Sequence, residues 1–526
     1  MRKLPIGIQS FENIRNDGYV YVDKTEYIWQ MVQEGKVYFL SRPRRFGKSL
    51  LISTMQAYFE GRKDLFEGLS IAEHEEEKPE EEQWVSYPVI HVDFTGGDYH
   101  TPQGLDYVLT NYFNRLEEKY SLEDGSHLDN PIRFSNLIEN IRKKTGKQVV
   151  VLVDEYDKPL LDVMVDDPEQ ENANRSRIKA VFSVLKKQDE NLKFVFLTGV
   201  TKFSKVSIFS DLNQLRDISL TDEASGICGI TETELRGNFN DNINTFAVAQ
   251  NITYEDALLQ LGKTYDGYHF SSRSDGVYNP YSLLNAFASK KFGRYWFETG
   301  TPTFLIRKLQ ESGIDVQDFS VGVRATESRL MNSRADEFDL IPLYYQSGYL
   351  TIKDYDPVFQ EYVLSYPNEE VKYGYLDALI PTVNAEYASR ESDFSAGRMV
   401  CALQQGDFET VMTMLQALLA SIPYYEGQVP KNEQQWRNLL YAIFSILGQY
   451  VKAEVHSSRG RSDCVLENDQ YVYIFEFKQD KSADEALQQI EEKGYAVPYA
   501  ASGKQIVKIG ANFSMQKKTL DEWKIR

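Results

Sequence analysis

The sequence predicts an α/β protein: a parallel sheet wrapped by helices in the N-terminal part, a mostly helical stretch after it, and a second, smaller α/β unit at the C-terminus. Three observations predict it. Val37-Tyr-Phe-Leu40 runs into Arg42-Pro-Arg-Arg-Phe-Gly-Lys-Ser-Leu50 and then into Leu51, Ile52, Met55, Tyr58 and Phe59 at helical spacing, so the segment reads strand, loop, helix. Val149 to Val153 is an unbroken apolar run closed by Asp154-Glu155, as a parallel strand covered on both faces requires. Tyr471 to Lys478 reads as a long strand ending in Glu476-Phe-Lys478, with a helical pattern and a last strand, Gln505 to Gly510, behind it.

Length and charge bound the rest. A chain of 526 residues is too long for one core and implies about two to four domains. The net charge of −20 opposes a general attraction to nucleic acid, so any such role must rest on a local site. Cys228, Cys401 and Cys464 lie far apart without metal-ligand spacing and read as reduced thiols. The N-terminus has no apolar signal core, and no run approaches the roughly 18 apolar residues of a membrane helix. The expectation is a soluble, cytoplasmic protein with no membrane contact; its oligomeric state is not legible.

Taken in order, Ile6 to Gln33 carries Phe11 and Tyr19-Val-Tyr21, aromatics suited equally to a purine stack or to core. The loop Arg45-Phe-Gly-Lys-Ser-Leu50 follows its strand. Its backbone N–H groups around Gly47 and the helix start would surround a β-phosphate, Lys48 would reach the β/γ oxygens, and the Ser49 hydroxyl would hold Mg²⁺. Arg42 stands where such loops ordinarily have their first glycine. His74 to Gln83 is Glu-rich and reads as a solvated face. Pro88 to Phe94 reads as a buried strand, Thr95-Gly-Gly97 as a turn, and Gly104 to Lys144 as helical. The carboxylates at the end of the Val149 strand sit where ligands bind in parallel sheets: Asp154 would hold Mg²⁺ beside Ser49, and Glu155 would orient or deprotonate water. Lys193 to Gly199 is a further buried strand whose Thr198 is placed to sense a γ-phosphate, with Lys202 near the same edge. Leu212 to Leu220 supplies another strand or edge, and Arg216 reads as a surface residue.

Together Arg42-Pro-Arg-Arg-Phe-Gly-Lys-Ser49, Val153-Asp-Glu-Tyr-Asp157, Leu197-Thr-Gly-Val-Thr-Lys-Phe203 and the opening Leu4-Pro-Ile-Gly7 resemble the bacterial AAA-ATPase-like family. The resemblance implies a P-loop sheet of the AAA type, ATP as ligand, and a helical or winged-helix lid. On it, the replaced first glycine is how the family is built. From Thr231 the pattern is helical and polar, with a helix entry at Asn279-Pro280 and a β-wing from Gly348 to Asp356. The expected organisation is a P-loop AAA-type ATPase domain at 1–230, a lid at 231–370, a helical linker at 371–428 and a last domain at 429–526.

That last domain holds a different chemistry. Residues two apart in a strand share a face, so Glu476 and Lys478 project together, and Asp463 at the neighbouring strand can meet them. Two carboxylates bind Mg²⁺ or Mn²⁺, the metal lowers the pKa of a water aimed at phosphorus, and Lys478 would position that water or stabilise developing charge. The order of elements, Gly460-Arg-Ser-Asp463 and Phe475-Glu-Phe-Lys478 resemble the PD-(D/E)XK nuclease superfamily, and in particular the nuclease-like domain that follows the ATPase in the same family. By position the resemblance makes Asp463, Glu476 and Lys478 the core, Gln489 the residue of the following helix, and Glu433 the helix carboxylate, with Glu454 competing for that place. The reading is therefore an ATP-binding and ATP-hydrolysing regulator joined to a metal-dependent DNA nuclease domain. The alternative is an ATP-dependent switch whose last domain binds nucleic acid or a protein without cutting.

Overall fold

The computed structural model describes residues 2–164, 167–202, 214–299, 303–312, 314–330, 339–379, 396–420, 433–448, 452–455, 463–517 and 519–526, with the backbone alone at 303–304, 307, 310–311, 396–397, 420, 433–437 and 452–455. Two units form. One comprises Met1–Thr299 with Val323–Glu370, the other Gly300–Gly322 with Val371–Arg526. Among the described residues no helix is long and apolar enough to cross a membrane.

The first unit is built on a five-stranded, all-parallel sheet of β1 (Val37–Ser41), β2 (Val89–Asp93), β3 (Val149–Asp154), β4 (Leu192–Gly199) and β5 (Arg216–Asp217), in the order β2-β3-β4-β1-β5. Every residue of β1 and β3 is buried, because helices cover both faces. The helices Gly104–Lys119, Asn130–Thr145 and Pro168–Lys187 share one apolar core with the strands, through Phe113, Phe134, Ile138, Val181 and Phe182. The helix Lys48–Phe59 buries the expected Leu51, Ile52, Met55, Tyr58 and Phe59. β4 lies between β1 and β3, so its C-terminal end separates the phosphate-type loop from the acid pair.

The Glu-rich stretch departs from a plain solvated face at one residue. Glu75, in the helix Ser70–Glu76, is buried and accepts from Tyr58 Oη and from the Trp84 N–H, both at 2.7 Å. The remaining acids there are exposed.

A helical layer follows. Thr231 and Glu234 form a reciprocal capping box for the helix Glu232–Gln250, and Asn279 caps Pro280–Ser289 with Pro280 at the first turn. Leu4 and Ile6 pack against its core of Leu235, Phe246, Leu261 and Leu283. Strands β6 (Val323–Thr326), β7 (Thr351–Asp356) and β8 (Glu361–Ser365) make a small sheet in the order β6-β8-β7, the β7–β8 hairpin standing where the wing was expected.

Glu370 is 2% exposed in this unit and accepts from Ser282 Oγ at 3.0 Å and from the Trp296 N–H at 2.8 Å. Burial outweighs those bonds and pushes its carboxyl up to about 7. A raised acid binds more protons folded than unfolded, so its contribution to stability falls as pH rises through the window from the ordinary carboxylate range to about 7. Glu370→Gln keeps an acceptor oxygen but cannot ionise. Thermal unfolding at pH 5 and pH 8 should therefore show the variant gaining on wild type at the higher pH. An equal difference at both would contradict the assignment.

The second unit carries a mixed sheet of β9 (Lys452–Val455), β10 (Cys464–Glu467), β11 (Tyr471–Gln479), β12 (Gln505–Ser514) and β13 (Thr519–Ile525), in the order β13-β12-β11-β10-β9. β11 and β12 are parallel and joined through the helix Ala483–Glu492; the other pairs are antiparallel. A Cβ at Gly510 would lie 2.5 Å from the Ala483 carbonyl, so glycine lets this helix lie against the strand.

Candidate functional site

The loop after β1 is shaped by residues on either side of Gly47. Gly47 has φ 97°, a left-handed conformation that favours glycine, and it is the cap residue of the helix Lys48–Phe59. Lys48 is buried, and its Nζ donates to the Arg42 and Pro43 carbonyls at 2.9 and 3.0 Å. Ser49 and Leu50 are half-buried in the first helical turn. The Phe46 side chain is buried among Tyr268 and Phe270, with ring centroids at 4.8 and 5.6 Å, so that residue offers only backbone to a ligand. Arg45 also has positive φ, 66°, and lays its guanidinium 4.1 Å from the Tyr281 ring centroid.

Arg42 is the surprise of the loop. It is 1% exposed, donates to the carbonyls of Ser41 (2.9 Å), Ser219 (2.8 Å) and Ala224 (2.8 Å), and stacks 4.0 Å from the Phe270 ring centroid. Its side chain is therefore committed to joining β1 to the chain after β5. Sequence reasoning had no signal for this, because all the carbonyl acceptors but one lie far away in the chain.

The acid pair stands at the end of β3. Thr198 Oγ1, at the end of β4, donates to Asp154 Oδ1 at 2.7 Å, and the Glu155 N–H reaches the same oxygen at 3.1 Å. Both bonds go to Oδ1, which leaves Oδ2 uncommitted among the described residues; with the Ser49 hydroxyl this is a donor set that suits Mg²⁺. Glu155 is half-buried with φ 49°, and a non-glycine residue in that region is a strained position of the kind that clusters at functional sites. Burial raises its carboxyl, the Lys48 charge opposes that rise, Asp154 and Asp157 add to it, and Arg44 opposes it.

Asp157 was not among the expected site residues. It is buried and accepts from the N–H groups of Val200 (2.9 Å) and Thr201 (2.6 Å) and from Thr201 Oγ1 (2.8 Å), so it pins the turn after Thr198. Its only signal in sequence is its place in Val153-Asp-Glu-Tyr-Asp157. Lys202 stands at the same edge but is committed: its Nζ pairs with Asp217 and its N–H donates to Gln346 Oε1 at 3.0 Å. Tyr21 fills core against Phe11 at 5.0 Å with its hydroxyl 3.4 Å from Thr54, which favours the packing alternative for that aromatic string.

In the second unit, Asp463, Glu476, Lys478 and Gln489 come together as expected. Asp463 Oδ2 accepts from the Phe477 N–H at 2.8 Å. Glu476 is 2% exposed; its Oε1 accepts from Lys478 Nζ at 3.0 Å and from Gln489 Nε2, and its buried Oε2 has no hydrogen-bond partner among the described residues. Lys478 Nζ also donates to Gln489 Oε1 at 2.5 Å. Burial, then the Asp463 charge, push the Glu476 carboxyl up to about 7 against the opposing Lys478. An orphaned, buried carboxylate oxygen beside a second carboxylate fits a divalent cation, although no group of three or more metal-binding side chains occurs among the described residues. Glu433 begins the helix Glu433–Leu447, and Glu454 lies on β9 opposite Val465; the side chains of both lie outside the described residues.

Comparison with known proteins gives two family matches. Residues 5–209 match the family described as Predicted AAA-ATPase, and residues 431–523 match the PD-(D/E)XK nuclease superfamily. A protein of Azotobacter chroococcum mcd 1, described as an uncharacterized protein in the vnfD 5' region, is 36% identical over 99% of this chain and 98% of its own length. Among solved structures, the Aeropyrum pernix ORC2 protein in its ADPNP-ADP complexes covers 70% of this chain and 93% of its own, at 10% identity and a TM-score of 0.27, too low to bear on the fold.

Proposed function

The chain belongs to the bacterial AAA-ATPase-like family with a C-terminal PD-(D/E)XK nuclease-like domain, and from that premise we propose an ATP-binding and ATP-hydrolysing regulator coupled to a metal-dependent DNA nuclease domain, acting in the cytoplasm. The observation that supports the ATP half is the convergence of the Gly47-Lys48-Ser49 loop, Thr198, Asp154 and Glu155 at the C-terminal edge of one parallel sheet. Backbone N–H groups of Arg45 to Leu50 receive the phosphates, and Lys48 leaves its two carbonyl partners for the β/γ oxygens. Ser49 and Asp154 would hold Mg²⁺, which would supply neutralisation of the phosphate charge. Thr198 fixes the Asp154 carboxylate and Glu155 orients the attacking water.

In the second unit Asp463 and Glu476, with Glu433 or Glu454 as a further carboxylate, would hold Mg²⁺ or Mn²⁺, which would supply activation of water toward phosphorus. Lys478 orients that water, and Gln489 holds Lys478 and Glu476 in register. The acidity of the chain does not extend to its last stretch: residues 429–526 carry 14 Lys and Arg against 13 Asp and Glu, so the segment that holds Asp463, Glu476 and Lys478 is nearly neutral and does not strongly repel a DNA backbone. The second reading, binding without cutting, is favoured by one observation, that Lys478 Nζ is committed to both Glu476 and Gln489.

Cleavage of plasmid DNA with Mg²⁺ or Mn²⁺, with and without ATP, separates the two. Wild type should cut in either metal. Lys478→Ala should lose cleavage by about a hundredfold or more while retaining DNA binding, and Lys48→Ala should lose the response to ATP. No cleavage by wild type with either metal, with DNA still bound, supports the second reading. Equal cleavage by wild type and Lys48→Ala at all ATP concentrations removes the coupling.

A further inference from the structure

The phosphate-type loop carries three guanidinium groups, and the structure sorts them. Arg42 is buried and spent on three carbonyls, and Arg45 is laid on the ring of Tyr281. Arg44 is exposed, and among the described residues its side chain has no hydrogen bond, ion pair or ring partner. Its backbone is the opposite. The Arg44 carbonyl accepts from Trp296 Nε1 at 3.0 Å, and the preceding Pro43 lies so close to Gly348 that a Cβ there would stand 2.8 Å from the Pro43 Cβ. The Trp296 ring is itself packed against Tyr349, with centroids 5.3 Å apart.

We propose that Arg44 supplies the cation that meets the γ-phosphate during transfer, and that Trp296 positions it by holding its carbonyl. A backbone fixed on both sides and a side chain with no structural partner is what a charge kept for a ligand looks like. The charge also stands beside the phosphate-binding ammonium: Lys48 Nζ donates to the Pro43 carbonyl at 3.0 Å, on the peptide that leads into Arg44. A γ-phosphoryl group in transfer spreads negative charge over its outer oxygens, and a guanidinium forked onto two of them stabilises that state more than the ground state. Carried within the loop, it would make turnover independent of an arginine from another subunit.

The inference rests on the ATP reading and is tested by measuring ATP turnover together with equilibrium binding of ATP and of ADP. Wild type, Arg44→Ala, Arg44→Lys and Trp296→Phe are compared, with Arg62→Ala as a charge-loss control; Arg62 is half-buried and bonded to Glu12 and Asp64. Arg44→Ala should lower kcat by at least about tenfold, toward the roughly 10³-fold of a fully engaged arginine, keep ADP affinity, and lose preference for ATP over ADP. Arg44→Lys should recover part of kcat. Trp296→Phe keeps an aromatic ring but loses the N–H and part of the buried indole, so kcat should fall while ADP affinity holds and the thermal midpoint drops by only a few degrees. If Arg44→Ala matches wild type in both kcat and ATP preference, the proposal is overturned and the ATP reading stands. If wild type binds neither nucleotide, both fall together.

Discussion

Glu155→Gln should lower ATP turnover by about two to four orders of magnitude while leaving ATP affinity within a few-fold of wild type. The amide is nearly isosteric and removes only the charge. Glu155 makes no ion pair among the described residues, so loss of its charge does not unpair a salt bridge. Its N–H bond to Asp154 is backbone and survives the substitution. The expected signature is therefore a split, with kcat lost and binding kept, and the variant should hold ATP long enough for bound nucleotide to be recovered after gel filtration. A variant that turned over at the wild-type rate would remove Glu155 from the site; one that lost ATP binding as well would move its role from catalysis to loop structure.

Arg42→Gly restores the glycine that phosphate loops ordinarily have, and it should be harmful. The guanidinium fills a buried site against Phe270 and satisfies the carbonyls of Ser41, Ser219 and Ala224. Glycine leaves a cavity and takes a donor from each of these carbonyls, of which, among the described residues, Ala224 alone keeps another partner, the Ile227 N–H at 3.3 Å. The charged group is costly to bury, and burial does lower its pKa, so its removal returns part of the loss. Acceptors left unpaired cost about 1–3 kcal/mol each and the cavity a comparable amount. The net expectation is destabilisation by about 3 kcal/mol or more, read as a fall of about 5 °C or more in the unfolding midpoint of the nucleotide-binding unit. Residual folded protein should still bind nucleotide, since no phosphate contact is removed. An unchanged midpoint would show that the carbonyls find other partners.

Much of both sites was legible because their residues are close in sequence or recur with a strand's period. Gly47-Lys48-Ser49 lies within a few residues, and Glu476 and Lys478 share a face of β11 because side chains alternate. Asp154 and Thr198 were found separately, each as the polar end of an apolar strand; only the strand order, which puts β4 beside β3, shows that they bond to each other. The parts that were not legible are those made by long-range packing. Arg42 reaches carbonyls at 219 and 224, Trp296 reaches the loop from far along the chain, and Glu75 is buried within a run of acids because Tyr58 and Trp84 surround it. A side chain's type and spacing carry no record of such partners.

The pairing of Lys48 with the Arg42 and Pro43 carbonyls bears on how a nucleotide enters. The first residue of the loop is already ordered by three buried hydrogen bonds, so little backbone entropy remains to be lost there when a ligand arrives. What must change is the company of one ammonium group, which gives up two carbonyls for phosphate oxygens. Association at this loop is thus an exchange of partners on a preformed frame, and its temperature dependence should carry the enthalpy of that exchange rather than the heat-capacity signature of a segment folding around its ligand.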